Sequence, residues 1–179
     1  MQRRELVGKI GIDSCVLEAD EARERQTEFY RKYAAVTKRT LSRPLFQGFL
    51  RWMLAKESIE GDMISKIKVM VFPFRNEKGN WLAGRINRKG DIYIFPKKKE
   101  SCKKLLRKFE KDTVYFYIKA RAMAALIHEL LHLRYANDEN IVRQKTEKYF
   151  QIFLRKRNTR DSKTHSILKV LFTARGATC

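Results

Sequence analysis

Apolar residues recur along this chain with two different periods, and the switches between them mark out its elements. From Glu18 to about Lys38 a background of Ala, Glu, Arg and Gln carries Phe29, Tyr33 and Val36 at helical spacing, which predicts a largely solvated helix. After Pro44, the residues Leu45, Phe49, Trp52 and Met53 recur at threes and fours and predict a second helix, closed by Gly61-Asp62. The texture then changes to Lys-Ile-Lys-Val-Met-Val-Phe-Pro-Phe over 66–74, a β-rich run whose Pro73 disfavours a central place for its far end. The stretches 81–87 and 91–95 flank Arg88-Lys89-Gly90, a turn-forming sequence that predicts an antiparallel hairpin. A basic helix to about Phe109 follows, then the longest apolar helix, from Val114 to Ala136. Asn137-Asp138-Glu139-Asn140 breaks that helix and can cap another, which runs to about Lys156 with Val142, Tyr149, Phe150, Phe153 and Leu154 as its stripe. Ile167 to Phe172 is apolar enough to dock on the rest.

This order of elements predicts an α+β fold, in which a small, mainly antiparallel sheet packs on the apolar helix and further helices lie to the N- and C-terminal sides. At 179 residues with 44% apolar content, the chain is long enough for one core and excludes disorder throughout. The expected organisation is one domain: 1–62 as a helical segment packed on the core, 63–157 as the core, and 158–179 as a basic tail. Three cysteines, Cys15, Cys102 and Cys179, form no Cys-x-x-Cys pair, which argues against a disulfide framework or a zinc ribbon and for a reducing compartment. No apolar run reaches membrane-spanning length, and the opening residues lack the apolar stretch of a secretory signal, so a cytoplasmic protein without a membrane partner is expected.

Candidate chemistry sits in the most apolar segment. Residues 120–133 read Ala-Arg-Ala-Met-Ala-Ala-Leu-Ile-His-Glu-Leu-Leu-His-Leu, and polar insertions in such a helix need a reason. His128 and His132 lie four apart, which stacks both imidazoles on one side of a helix within reach of a single ion, with Glu129 turned by one residue toward the same cleft. This His-Glu-x-x-His pattern suits Zn2+ with two neutral imidazoles, a third protein ligand and a water, and a glutamate that takes a proton from the water. The bland reading is an amphipathic helix face or core histidines satisfied by hydrogen bonds. Against it, two of the only three histidines fall at ligand spacing around a carboxylate that would be costly to bury unpaired. For the third ligand Asp138 is expected, six residues past His132 where the helix has ended; capping of the next helix is its competing role, and Glu139, Glu147 and His165 are the fallback ligands.

The stretch from about Lys66 to Phe150 resembles a zincin metallopeptidase, particularly the small intracellular SprT-like, WLM and YgjP-like groups. Three features carry the resemblance: Leu-Ala-Gly-Arg-Ile-Asn (82–87), Asp-Ile-Tyr-Ile-Phe-Pro (91–96) after a turn, and Leu-Ile-His-Glu-Leu-Leu-His-Leu (126–133). The resemblance, from about Lys66 to Phe150, covers about half the chain. The resemblance implies a zincin-like fold in which a hairpin precedes the metal helix and one of its strands forms the rim along which an extended substrate lies. It also implies His128 and His132 as zinc ligands and Glu129 as general base. The third ligand of those groups is usually a histidine at the position of Asp138, an exchange that resembles the aspartate-liganded snapalysin type, and their glycine three past the second histidine is Tyr135 here. The implied activity is hydrolysis of peptide bonds by a Glu-activated, zinc-bound water, with Tyr135, Arg143 and Tyr149 as candidates for the oxyanion.

Charge changes the picture of partners. Forty Lys+Arg against 20 Asp+Glu give a net +20, which favours a polyanionic neighbour. Clusters at Lys97-Lys98-Lys99, Lys103-Lys104 and Arg155-Lys156-Arg157 can neutralise phosphates without reading sequence, although solvated helix faces look the same. The combined expectation is a zinc metalloprotease acting on nucleic-acid-associated proteins, DNA in preference to RNA, for example DNA–protein crosslinks, at the nucleoid. Two other classes stay open: a YbeY-like metal-dependent ribonuclease, against which Glu129 counts, and a non-catalytic basic nucleic-acid-binding protein with a structural metal closed by four ligands.

Overall fold

The computed structural model describes residues 11–15, 24–136, 138–156, 166 and 169–172. Four strands form one sheet: β1 (Ile12–Cys15), β2 (Lys66–Met70), β3 (Gly84–Ile86) and β4 (Asp91–Ile94), in the order β1-β2-β4-β3. Around it lie α1 (Glu24–Leu41), α2 (Pro44–Lys56), α3 (Lys99–Leu106), α4 (Lys111–Tyr135) and α5 (Glu139–Lys156), so the fold is α+β. Among the described residues no helix is long and apolar enough to cross a membrane.

The sheet is mixed, which corrects the mainly antiparallel expectation. β3 and β4 form the antiparallel hairpin, but β4 pairs in parallel with β2, and β2 in parallel with β1. The reason lies in side chains. β4 alternates Ile92 and Ile94 into the core against Ile67 and Val69 of β2, whereas β3 has only Gly84 and Ile86 to turn inward. The strand with more apolar surface to bury takes the central place and pushes β3 to the edge. The predicted strand 81–87 is accordingly short, extended only by a bridge between Arg75 and Trp81. β1 was not legible in the sequence, because four residues reading Ile-Asp-Ser-Cys are too few to display a period.

The α2 stripe is shifted from the expected one. Phe46, Phe49, Leu50 and Met53 are buried, while Leu45 is 58% exposed and Trp52 38%. On α5 the expected stripe is buried throughout, from Val142 to Leu154, and Leu171 joins the same core with Phe172 beside Phe150.

Helix α4 runs through the middle of the domain, and every residue from Ala120 to Leu131 is buried. Buried Arg121 ties it to the hairpin, its guanidinium donating to the carbonyls of Phe95 at 2.6 Å and Leu82 at 3.2 Å. Those carbonyls flank the two hairpin strands, so one side chain sets the distance between edge strand and helix. Charge-assisted bonds of this kind are stronger than neutral ones.

Candidate metal centre

The last turn of α4, the chain reversal after it and the first turn of α5 build one site. His128 is 2% exposed and His132 is half-buried on the same face. Their Nε2 atoms face each other at 3.1 Å. The carboxylate of Glu139 closes the triangle, with Oε1 at 3.5 Å from His128 Nε2 and Oε2 at 3.4 Å from His132 Nε2. These three side chains can hold a metal ion.

The carboxylate brought to the imidazoles is therefore Glu139, a fallback ligand, and not Asp138. Asp138 is exposed, and its Oδ1 accepts the backbone N–H of Ile141 at 3.1 Å, the N-cap role weighed against liganding. The physical reason is where the chain turns. α4 continues through Tyr135 and is stopped by Ala136, which takes φ 45° and donates its N–H to His132 O. A glycine three past the second histidine would reverse the chain earlier; here the reversal falls one residue later, and the carboxylate that meets the histidines is one residue later too. With ψ at −114°, Ala136 lies in a sparsely populated region for an L-residue, which costs about 1–3 kcal/mol. Of the other fallbacks, Glu147 is exposed and accepts a hydrogen bond from Gln151 on its own helix, and His165 lies outside the described residues.

Both rings are oriented through Nδ1. His132 Nδ1 lies 2.5 Å from the carbonyl of Ala136, so the ring donates there and Nε2 carries a free lone pair. His128 Nδ1 lies 3.4 Å from the Thr146 hydroxyl, which spends its own proton on Val142 O at 2.7 Å and so accepts from the ring. Two lone pairs and a carboxylate thus face one another, a donor set suited to a cation, with Arg143 Nε 2.7 Å from Glu139 Oε1 on its outer side. Donors about 2.0–2.2 Å from zinc at tetrahedral angles stand about 3.4 Å apart; the two imidazole nitrogens lie 3.1 Å apart, each has one carboxylate oxygen at 3.4–3.5 Å, and one ligand atom from each of the three residues lies within 4.8 Å of the others. Burial, reinforced by His132 and Arg143 and opposed by Glu139, pushes the pKa of His128 down to about 4. The neutral imidazole that results is the form that ligates metal.

Glu129 lines the same cleft while standing apart from the triangle. It is 5% exposed, and burial, with the charge of Glu139, pushes its pKa up to about 8 against a hydrogen bond from the backbone of Ile86. A carboxyl poised near neutrality is suited to taking and returning protons, and a cation in the cleft would favour its charged form. The cleft, about 600 Å³, is walled on the far side by β3 and the turn after it, Gly84 to Arg88. Ala83 and Asn87 bond to β4, so by alternation Gly84 and Ile86 direct their backbone groups outward, toward the helix. Gly84 is there because nothing larger fits: a Cβ at that position would lie 2.7 Å from Cγ of Glu129. The composition of 82–87 was legible, but this contact was not.

Of the residues considered for the oxyanion, Tyr135 and Tyr149 are engaged by Glu57, whereas Arg143 stands beside the site against its own Glu139. Tyr135 donates to Glu57 Oε2 at 2.5 Å, Tyr149 and Lys145 donate to Glu57 Oε1, and Arg143 Nε lies 2.7 Å from Glu139 Oε1. Glu57, at the C-terminal end of α2, went unnoticed in the sequence because nothing local distinguishes it. Burial opposes its charge, but the bonds from Lys145, Tyr135 and Tyr149 prevail and hold its carboxyl below the usual range.

The basic clusters divide. Lys97 is half-buried against the Tyr117 ring, and burial lowers its pKa. Lys98 lies 4.1 Å from the Trp81 ring centre and Lys99 5.9 Å from that of Phe29. Lys103, Lys104 and Arg155 are exposed; the side chain of Lys156, and Arg157 altogether, lie outside the described residues.

No protein-family model, no curated protein and no solved structure matches this chain.

Proposed function

We propose that the protein is a zinc-dependent metallopeptidase of zincin type. The observation that carries this reading is the convergence of His128, His132 and Glu139 beside Glu129, in a cleft bounded by an edge strand. Three protein donors among the described residues, beside an open cleft, fit a catalytic site better than a structural one, which four ligands close. When bound there, a zinc ion supplies a Lewis acid that activates a water and polarises a carbonyl.

The chain's own residues supply the rest. Thr146 and the Ala136 carbonyl hold the two imidazoles with Nε2 forward, so little reorganisation is needed when the site fills. Glu129 accepts a proton from the attacking water and returns it to the leaving amine. Among the described residues β3 is an edge strand, and its outward main-chain groups at Gly84 and the Ile86 carbonyl, the Ile86 backbone N–H being given to Glu129, suit an extended peptide with few demands on its side chains. The net charge of +20 supports substrates that sit on polyanions, which is how we read the partner class: proteins attached to nucleic acid.

The deciding experiment is Glu129→Gln. It is expected to retain zinc at one equivalent by elemental analysis while cleavage of an unstructured protein such as casein falls by at least about 100-fold. Unchanged turnover would remove Glu129 from the mechanism and with it the peptidase reading.

A further inference from the structure

The sheet has a second face. Ile67, Val69, Ile92 and Ile94 turn toward the helices, so the alternate positions of β2, β4 and β3 point the other way. In register across that face stand Lys68, Tyr93 and Arg85, and all three are exposed or half-buried.

Aromatic rings and cations alternate over this surface. Lys68 Nζ lies 5.5 Å from the centre of the Tyr93 ring. Tyr93, Phe95 and Phe74 follow one another with nearly parallel planes, at 15° and 22° and with centres 6.5 and 5.1 Å apart. Phe95 is buried and serves as the anchor, whereas Tyr93 and Phe74 keep accessible surface. The Arg85 guanidinium stands 5.9 Å from Phe74. Trp81, 38% exposed, completes the series with Lys98 and Arg75 beside its ring. Among the described residues, Asp91 stands opposite Lys66 in register and accepts a bond from Asn87, Glu77 borders the Phe74 hollow, and the backbone of Asp13 pairs with that of Lys68.

Aromatic side chains in water are poorly used on a charged surface, and lysines and arginines next to them repel one another unless an anion intervenes. A ligand that satisfies both has flat apolar faces spaced along a negatively charged backbone. We infer that this face of the sheet is a binding site for single-stranded nucleic acid, with bases stacking on Trp81, Phe74 and Tyr93 and phosphates meeting Lys68, Arg75, Arg85 and Lys98. A duplex hides its bases and cannot use the rings. The site lies one strand from the candidate metal centre: Arg85 borders both the hollow beside Phe74 and the cleft that holds Glu129. A protein attached to a bound strand is thereby delivered to the cleft. The binding itself does not rest on the peptidase reading, because it requires neither metal nor turnover.

The test is fluorescence anisotropy of labelled oligothymidylate and oligouridylate of about 15 nucleotides, and of a duplex of the same length, titrated with the full chain across a salt series. Single strands should bind more tightly than duplex. Trp81→Ala and Tyr93→Ala should each weaken single-strand binding by about tenfold, Trp81→Phe and Tyr93→Phe should restore most of it, and Lys103→Gln with Lys104→Gln on α3 should change it little. If an alanine variant melts early, Lys68→Gln with Arg75→Gln keeps the rings and should lower both affinity and salt slope. The thymidylate and uridylate arms show whether DNA or RNA is preferred. Absence of binding, duplex binding equal to single-strand binding, indifference to the ring substitutions, or equal competition by polyglutamate, which would mark an acidic protein as the partner, each overturns the proposal.

Discussion

At the scale of single residues, two neighbours in the sequence carry different duties. Asp138 caps α5 and Glu139 reaches the histidines, so alanine substitutions should separate them. Asp138→Ala is expected to keep zinc stoichiometry and lose about 1 kcal/mol of stability. Glu139→Ala should weaken zinc by more than about 100-fold, since loss of even an outer partner costs 10- to 100-fold. Zinc titration with a chelating indicator, beside thermal melts, reads both; the reverse result would return the third ligand to Asp138. Gly84 is the other residue on which the site turns. A methyl group there meets Glu129 Cγ at 2.7 Å and Oε1 at 2.8 Å, and must displace the proposed base. Gly84→Ala is therefore expected to lower kcat by about 10- to 100-fold, with KM and zinc content nearly unchanged. A variant with normal kcat would show that the base tolerates displacement.

At the scale of elements, Glu57 joins three helices. It ends α2, accepts from Tyr135 at the end of α4, and accepts from Lys145 and Tyr149 on α5, whose first turn carries Glu139. Removing it takes the carboxylate partner from Lys145 and the acceptor from the part-buried Tyr135 and buried Tyr149 hydroxyls. Glu57→Ala should cost about 2–4 kcal/mol. Because the carboxyl is held below its ordinary value of 4.5, the folded chain binds its proton less readily than the unfolded chain does. The stabilisation is therefore fully present above about pH 4.5 and disappears as pH falls through the lower folded value. Acid denaturation curves of wild type and Glu57→Gln should stand apart at neutral pH and converge at the acid end. The α2 stripe and β1 belong to this scale as well: period alone located the second helix, but its phase was set by which side met α5 and the core.

At the scale of the whole molecule, folding and metal binding are one equilibrium. The donors come from two helices and converge only when the chain reverses at Ala136, so an unfolded chain has no such site. Zinc at about 100 times its Kd should add about 2.7 kcal/mol, which for a chain of this size raises Tm by about 5–10 °C. Chelation should reverse the shift, and His132→Ala should abolish it. A melting curve indifferent to zinc would mean that the triangle does not hold the ion.

The sequence by itself determined the apolar helix with its two histidines and glutamate, because a period of 3.6 and a spacing of four need no knowledge of neighbours. It also determined the hairpin, α5 with its stripe, and the excess of positive charge. Only the tertiary structure decided the parallel pairing of β2 with β4, the choice of Glu139 over Asp138, the need for glycine at 84 and the role of Glu57. Each of these depends on which surfaces compete for the same buried space, or on a turn that falls one residue later than expected. Such outcomes are settled by packing between segments far apart in the chain, where local pattern has no reach.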